Sequence, residues 1–316
     1  MKLPKIKISK KTITINGIKN CYGLAVDKKG NLFFPDFNLG LIYKVSKNFK
    51  YIKKLELKSK ILKPHSIFFD KKENMYVTCM GLGYKKGKGS ILIFSKRGKL
   101  LNKVGITEHG NKGLISPVSC YLDENKKKLY ISEYGSNKIL IYNNNVLESW
   151  IGKYDKKKDN KILNNSWKKK KNFLNLNLSS PHTLVFCPDK YFYIADTGNH
   201  RILKFNNKWK FSGSIGSNTN HFLNKSKIKK NFSKSLTEEK KNIFFNLPVD
   251  IKYRLKHLFV SDCNNNRIVK LNMKGEIVSF IKGFKNPYTF CFFKNFIYVA
   301  DRGNNRIKIL KLKKKT

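Results

Sequence analysis

Tyr193-Ile194-Ala195-Asp196-Thr197-Gly198-Asn199-His200-Arg201-Ile202 recurs twice further along the chain. The copies are Phe259-Val260-Ser261-Asp262-Cys263-Asn264-Asn265-Asn266-Arg267-Ile268 and Tyr298-Val299-Ala300-Asp301-Arg302-Gly303-Asn304-Asn305-Arg306-Ile307. A looser copy, Tyr130-Ile131-Ser132-Glu133-Tyr134-Gly135-Ser136-Asn137-Lys138-Ile139, precedes them. Each reads as an apolar strand, a polar turn rich in Gly and Asn, and a second strand, the composition of a β-hairpin. Asp at the strand end accepts backbone N–H bonds across the turn, and Gly and Asn tolerate the positive φ such a turn needs.

A second signal precedes each hairpin: Pro, a polar or aromatic residue, then a short apolar strand. The copies open at Pro64-His65-Ser66, Pro117-Val118-Ser119, Pro181-His182-Thr183, Pro248-Val249-Asp250 and Pro287-Tyr288-Thr289. A sixth, Cys21-Tyr22-Gly23, has Cys in place of Pro and leads to a degenerate hairpin, Leu32–Asp36 with Leu41–Val45. In the second repeat, Met75-Tyr76-Val77-Thr78 pairs with Ser90–Phe94 across a long Gly/Lys loop. Internal repetition of this period marks an array or a propeller.

A strand, Asp, a turn, Asn-x-Arg and a strand, after a Pro-x-small opening, together resemble the NHL repeat. Six copies cover nearly the whole chain. The resemblance implies an all-β, six-bladed β-propeller with one four-stranded blade per repeat, spanning 1–316 as a single domain around a central channel. The final repeat supplies only three strands by Leu312. Lys5-Ile6-Lys7-Ile8 and Thr12-Ile13-Thr14-Ile15 both alternate with period two, so an N-terminal strand is expected to complete the last blade and close the ring. The shortest repeat runs from Pro248 to Pro287. The longer ones carry insertions at about 153–177 and 217–246, both between blades and so on one face; Thr237 is positioned to cap a short helix.

The composition sets the chemistry the chain can offer. Hydrophobic residues make up 40% and aromatics 13%, which excludes a disordered chain despite the formal charge of +47. Only six of the 67 basic residues are Arg. A lysine-rich, asparagine-rich and alanine-poor sequence is what an AT-rich genome favours, and recognition of phosphate through bidentate forks would favour Arg. Composition drift and a selected anionic partner both account for the charge. In either case the field attracts RNA or acidic polysaccharide at low salt. The six cysteines form no CxxC clip and read as reduced core residues. No apolar run is long enough to span a bilayer, and Met1–Ile8 lacks a continuous signal core. A cytoplasmic monomer is expected.

There is no phosphate loop, no GxSxG, no HExxH and no paired-Cys zinc signature. The Asp/Asn/Arg triplets recur blade after blade, which marks them as hairpin structure. One constellation stands apart. The residue after the opening Pro starts the innermost strand, so Tyr22, His65, Val118, His182, Val249 and Tyr288 should ring the channel. His65, His182 and Tyr288 fall on alternate blades and converge on the axis. The peptidyl-amidoglycolate lyase branch of NHL propellers places three metal-binding His in this way. By that resemblance His65 and His182 are candidate ligands for Zn or Ca in the channel, with Tyr288 standing where the third His would be.

The leading expectation is a non-enzymatic binding or scaffold module with no cofactor, using its basic surface to engage an anionic ligand or a protein. The alternative is a metal-dependent lyase or hydrolase at the central channel. Tyr22, His65, His182 and Tyr288 mark the channel opening, and Lys168, Lys169, Lys170 and Lys171, with Trp167 nearby, mark the anion site on the blade-connecting insertion.

Overall fold

A computed structural model of the chain describes residues 3–9, 12–18, 20–81, 88–105, 114–153, 172–174, 176–216 and 244–312. It is a ring of six antiparallel sheets. The first blade holds strands Ala25–Val26, Leu32–Asp36, Leu41–Val45 and Ile52–Lys54. The second holds Pro64–Phe69, Met75–Cys79, Ser90–Phe94 and Leu100–Val104. The third runs Pro117–Asp123, Lys128–Glu133, Lys138–Asn143 and Val146–Ile151, with a short parallel strand Asn172–Leu174 added outside. The fourth and fifth are Pro181–Phe186, Tyr191–Asp196, Arg201–Asn206, Phe211–Ile215 and Pro248–Arg254, His257–Asp262, Arg267–Asn272, Ile277–Ile281.

The sixth blade is made from both ends of the sequence. Pro287–Phe293, Phe296–Asp301 and Arg306–Lys311 are followed by Thr12–Asn16 and then Lys5–Ile8. Thr12–Asn16 lies antiparallel to Arg306–Lys311, with Ile15 opposite Ile307 and Ile13 opposite Ile309. Ile15, Ile307 and Ile309 are buried in one cluster with Phe34, Tyr43 and Val45 of the first blade, so this seam joins the two ends of the ring.

The middle strands of the blades are apolar on both faces because each blade is covered on both sides by its neighbours. Phe34, Phe94, Phe192 and Phe205 have no exposed surface. The six cysteines are free thiols, four of them buried, as in a packed core without cross-links. Among the described residues no helix is long and apolar enough to cross a membrane.

The hairpin chemistry differs in one respect from the sequence reading. Among the described residues Asp196, Asp262 and Asp301 accept no backbone N–H from their own turn. Each Oδ1 accepts an N–H two residues before the opening Pro of its own repeat: Ser179 at 2.8 Å, Asn246 at 2.7 Å and Lys285 at 2.6 Å. Each Oδ2 takes the Asn side chain of the turn at 2.9 Å and the Arg Nε at 2.7 Å. The turn itself is a single 3-10 turn closed by a residue in the left-handed region: His200, Asn266 and Asn305. The carboxylate therefore fastens the incoming blade connection to the hairpin, and the Pro opening and the Asp/Asn/Arg triplet travel together for that reason. In the third blade Glu133 plays this part: it accepts from the Ser116 and Ser136 N–H groups, with Lys138 buried where the others have Arg.

Candidate functional site: the mouth of the channel

Every inner strand begins on the face that carries these hairpins, so the residue after each opening Pro is delivered to the axis at that end. Tyr22, His65, His182 and Tyr288 all meet there. His65 and His182 have ring centroids 5.2 Å apart, His182 and Tyr288 5.1 Å, and Tyr22 stacks on His65 at 4.9 Å. The expected convergence of alternate blades is seen, and Tyr22 joins it from a neighbouring blade. These are not open channel walls: His65 is 1% exposed, His182 4% and Tyr288 9%. They plug the channel. Below the plug a cavity of about 50 Å³ remains, room for a few waters, lined by polar groups including Ser66, Thr183, Asp250 and Thr289. Asp250 is fully buried; it accepts from Thr289 Oγ1 at 2.7 Å and lies 3.0 Å from Lys252 Nζ.

The hydrogen bonds fix the proton positions. His65 Nδ1 lies 2.8 Å from the Val118 carbonyl, which only accepts, so Nδ1 carries the proton and Nε2 is a bare acceptor. The Tyr288 hydroxyl sits 3.4 Å from that Nε2 and 2.6 Å from His182 Nε2. With His182 Nε2–H donating to Tyr288 and Tyr288 O–H donating to His65, no buried N–H is left over. The reverse arrangement would strand a proton on His182 Nδ1, which is buried without a hydrogen-bond partner among the described residues. Burial disfavours the charged form of both imidazoles. The His182 pKa falls to about 3, and His65 is held well below its usual 6.5 by burial and then by its neighbours His182 and Arg302. Both are neutral at pH 7.

This donor set does not fit the three-histidine metal site implied by the resemblance. Both Nε2 atoms point at the Tyr288 hydroxyl, so the phenol occupies the place a metal would take between them. Among the described residues no group of three His, Cys, Asp or Glu is placed to hold an ion. The guanidinium of Arg302 lies 5.4 Å from the Tyr288 ring, adding a fixed positive charge beside the site.

A second set of residues at the mouth had not been singled out in the sequence. It consists of the residue following each strand-end position of the hairpins: Phe37, Met80, Tyr134, Thr197, Cys263 and Arg302. Phe37, Met80 and Tyr134 pack with Tyr22 and Val118; Cys263 packs with Val249 and Tyr288. Thr197 Oγ1 donates to the Pro248 carbonyl at 2.6 Å. Arg302 lies over Tyr22 at 5.0 Å and over Tyr288. The available signal was positional: one fixed offset from the hairpin acid, at which residue type varies freely between blades.

Lys168, Lys169, Lys170 and Lys171 lie outside the described residues, as do Trp167, Thr237 and most of both insertions. The flanks are described and reach the hairpin face: Lys138 Nζ donates to the Lys153 carbonyl at 3.0 Å, and Asn199 Nδ2 to the Asn177 carbonyl at 3.0 Å.

The profile of the NHL repeat matches residues 178–205, the opening and first hairpin of the fourth blade. The chain thus carries an NHL repeat within a six-bladed β-propeller. No curated protein matches it by sequence. Among solved structures, it is similar in fold to a streptogramin B lyase, at 16% identity, a TM-score of 0.58, and coverage of 94% of this chain and 85% of the other. It is similar to a virginiamycin B lyase from Staphylococcus aureus at 13% identity and a TM-score of 0.58, covering 98% of this chain and 100% of that one. A protein of unknown function from Bacteroides thetaiotaomicron gives a TM-score of 0.64 at 14% identity, with 98% and 72% covered. At these identities the likeness concerns the fold alone.

Proposed function

We propose that the chain is a binding module whose hairpin face engages an extended polyanion. The observation that carries this reading is the plug. His65, His182 and Tyr288 close the channel to all but a few waters, so a partner has to be met on the faces of the ring rather than inside it. The net charge of +47 makes that partner an anion, and the insertion carrying Lys168 to Lys171 leaves and rejoins the ring on the hairpin face. Lys attracts phosphate or sulfate as a point charge without base readout, which suits RNA or an acidic polysaccharide bound without sequence preference.

The test is retention on heparin and binding of oligo(U) across a salt series. Replacing Lys168 to Lys171 with Ser should lower the log–log salt slope for oligo(U) by up to about 3, the value for four lost phosphate contacts on a single strand. Replacing Lys29, Lys72, Lys99 and Lys274 with Ser removes the same charge from turns on the opposite face and should leave the slope nearly unchanged. Equal losses from both sets would mean the charge acts only in bulk. A second reading, catalysis at the channel, is favoured by the His182–Tyr288–His65 hydrogen-bond chain, which lines up two neutral bases on one phenol. Hydrolysis of p-nitrophenyl acetate, lost in Tyr288→Phe, would support it.

A further inference from the structure

The chain has three hairpin arginines that are committed and one beside the plug that is not. Arg201, Arg267 and Arg306 each place Nε 2.7 Å from a fully buried carboxylate. Arg302, four residues before Arg306, has no carboxylate within ion-pairing distance among the described residues, and no side-chain hydrogen bond there. Its guanidinium lies instead over two phenol rings, 5.0 Å from the Tyr22 centroid and 5.4 Å from that of Tyr288. Contact with ring faces holds the cation without pairing its charge, which can meet an oxyanion. The rings are themselves fixed: Tyr288 by His182 and His65, Tyr22 by its stack on His65 and its edge contact with Phe37. A guanidinium held on so rigid a base loses little freedom on pairing.

Around it the mouth is apolar on one side. Phe37 and Met80 are buried beneath Tyr22 and the half-buried Tyr134. Leu39, in the turn after Phe37, is 49% exposed, and Leu62, beside Lys63, is 37% exposed. Lys63 Nζ sits 5.6 Å over the Phe37 ring. The other residues at the Arg302 position of the hairpins are Phe37, Met80, Tyr134, Thr197 and Cys263, so no carboxylate in that set competes for the cation.

We propose that the channel mouth is a receptor for a small amphipathic carboxylate. Arg302 takes the carboxylate, and the cluster of Tyr22, Tyr134 and Phe37 beside it takes the apolar body. The site builds on the anion-binding reading of this face but uses none of the insertion lysines, so the two stand or fall separately.

The test is calorimetric titration of the full-length protein with octanoate, acetate, octanol and inorganic phosphate. Octanoate should bind, and acetate and octanol should each bind at least about tenfold more weakly, each lacking one half of the recognition. Arg302→Gln should weaken octanoate about tenfold or more, and Arg302→Lys should recover only part, because an ammonium cannot fork. Arg97→Gln removes the same charge from a turn on the opposite face and should change nothing. Octanoate binding unchanged in Arg302→Gln overturns the proposal. So does phosphate or acetate binding as tightly as octanoate, or octanol matching it. Circular dichroism of Arg302→Gln confirms that any loss is not unfolding. The oligo(U) salt slope should be the same in Arg302→Gln as in the parent protein, whereas replacement of Lys168 to Lys171 should leave octanoate binding intact. That crossed pair of readouts separates failure of this site from failure of the polyanion surface.

Discussion

Two imidazoles that never charge at neutral pH make His65 and His182 a source of acid sensitivity. An unfolded chain protonates them near pH 6.5, whereas in the plug burial holds His182 to about 3 and His65 well below its usual value. Between those limits the unfolded state binds more protons, so stability rises with pH across that window and is lost as pH falls below about 6.5. At pH 5 protonation of the unfolded chain at His182 costs about 2 kcal/mol of stability, and His65 acts in the same direction. His182→Phe should therefore lose about 2 kcal/mol less than the parent protein between pH 7 and pH 5. Urea unfolding at the two pH values measures the difference. Buried Glu133 and Asp196, whose carboxyls burial pushes upward, respond in the opposite sense and are common to both proteins, so they cancel in the comparison.

At the level of strands and turns, the repeat was readable because hairpin residues are dictated locally. Asp, Gly, Asn and Arg at fixed offsets meet one turn geometry, and the strands between them are apolar whatever their neighbours. The inner ring was readable for a related reason: the Pro opening starts a strand, and a strand start in a propeller has one destination. What was not readable depends on contacts between blades. That Asp301 accepts the Lys285 N–H rather than a backbone N–H of its own turn follows from how the blade connection returns over the hairpin. That Arg302 has no carboxylate partner among the described residues while Arg306 is bound follows from a turn that sends the one over the phenol rings and the other back onto Asp301. Neither offset carries a periodic signal. The expected closing strand was legible from alternation alone, and its neighbours were not. Ile15 has no exposed surface and joins the two ends of the ring within one cluster. Ile15→Ala should cost about 3 kcal/mol in urea unfolding, as for other large-to-small core changes, while Ile8→Ala on the exposed outer strand should cost well under 1 kcal/mol.

For the molecule as a whole, the excess positive charge opposes its own compaction. Among the described residues only a few ion pairs relieve it, chiefly the hairpin Asp–Arg pairs and Lys128–Glu148. With a net +47 on one ring, the repulsion is long-ranged and salt-sensitive. Raising ionic strength from about 0.01 M to about 0.1 M shortens the screening length from roughly 30 Å to roughly 10 Å. The melting temperature should climb over that interval and level off beyond it, as differential scanning calorimetry would record. A falling or flat melting temperature would mean that local ion pairs outweigh the overall field.

The shared sixth blade also sets an order of events during synthesis. Thr12–Asn16 leaves the ribosome well before its partner, Arg306–Lys311, with all five other blades made in between. While those blades are made, that strand waits with an unpaired edge, and the five complete sheets form an open arc that cannot yet close. A nascent chain of this design depends on something to occupy the waiting edge, whether the neighbouring Lys5–Ile8 hairpin partner alone or a chaperone as well. Circular permutation that fuses the present ends and opens the chain between the second and third blades would make the sixth blade contiguous and remove the wait.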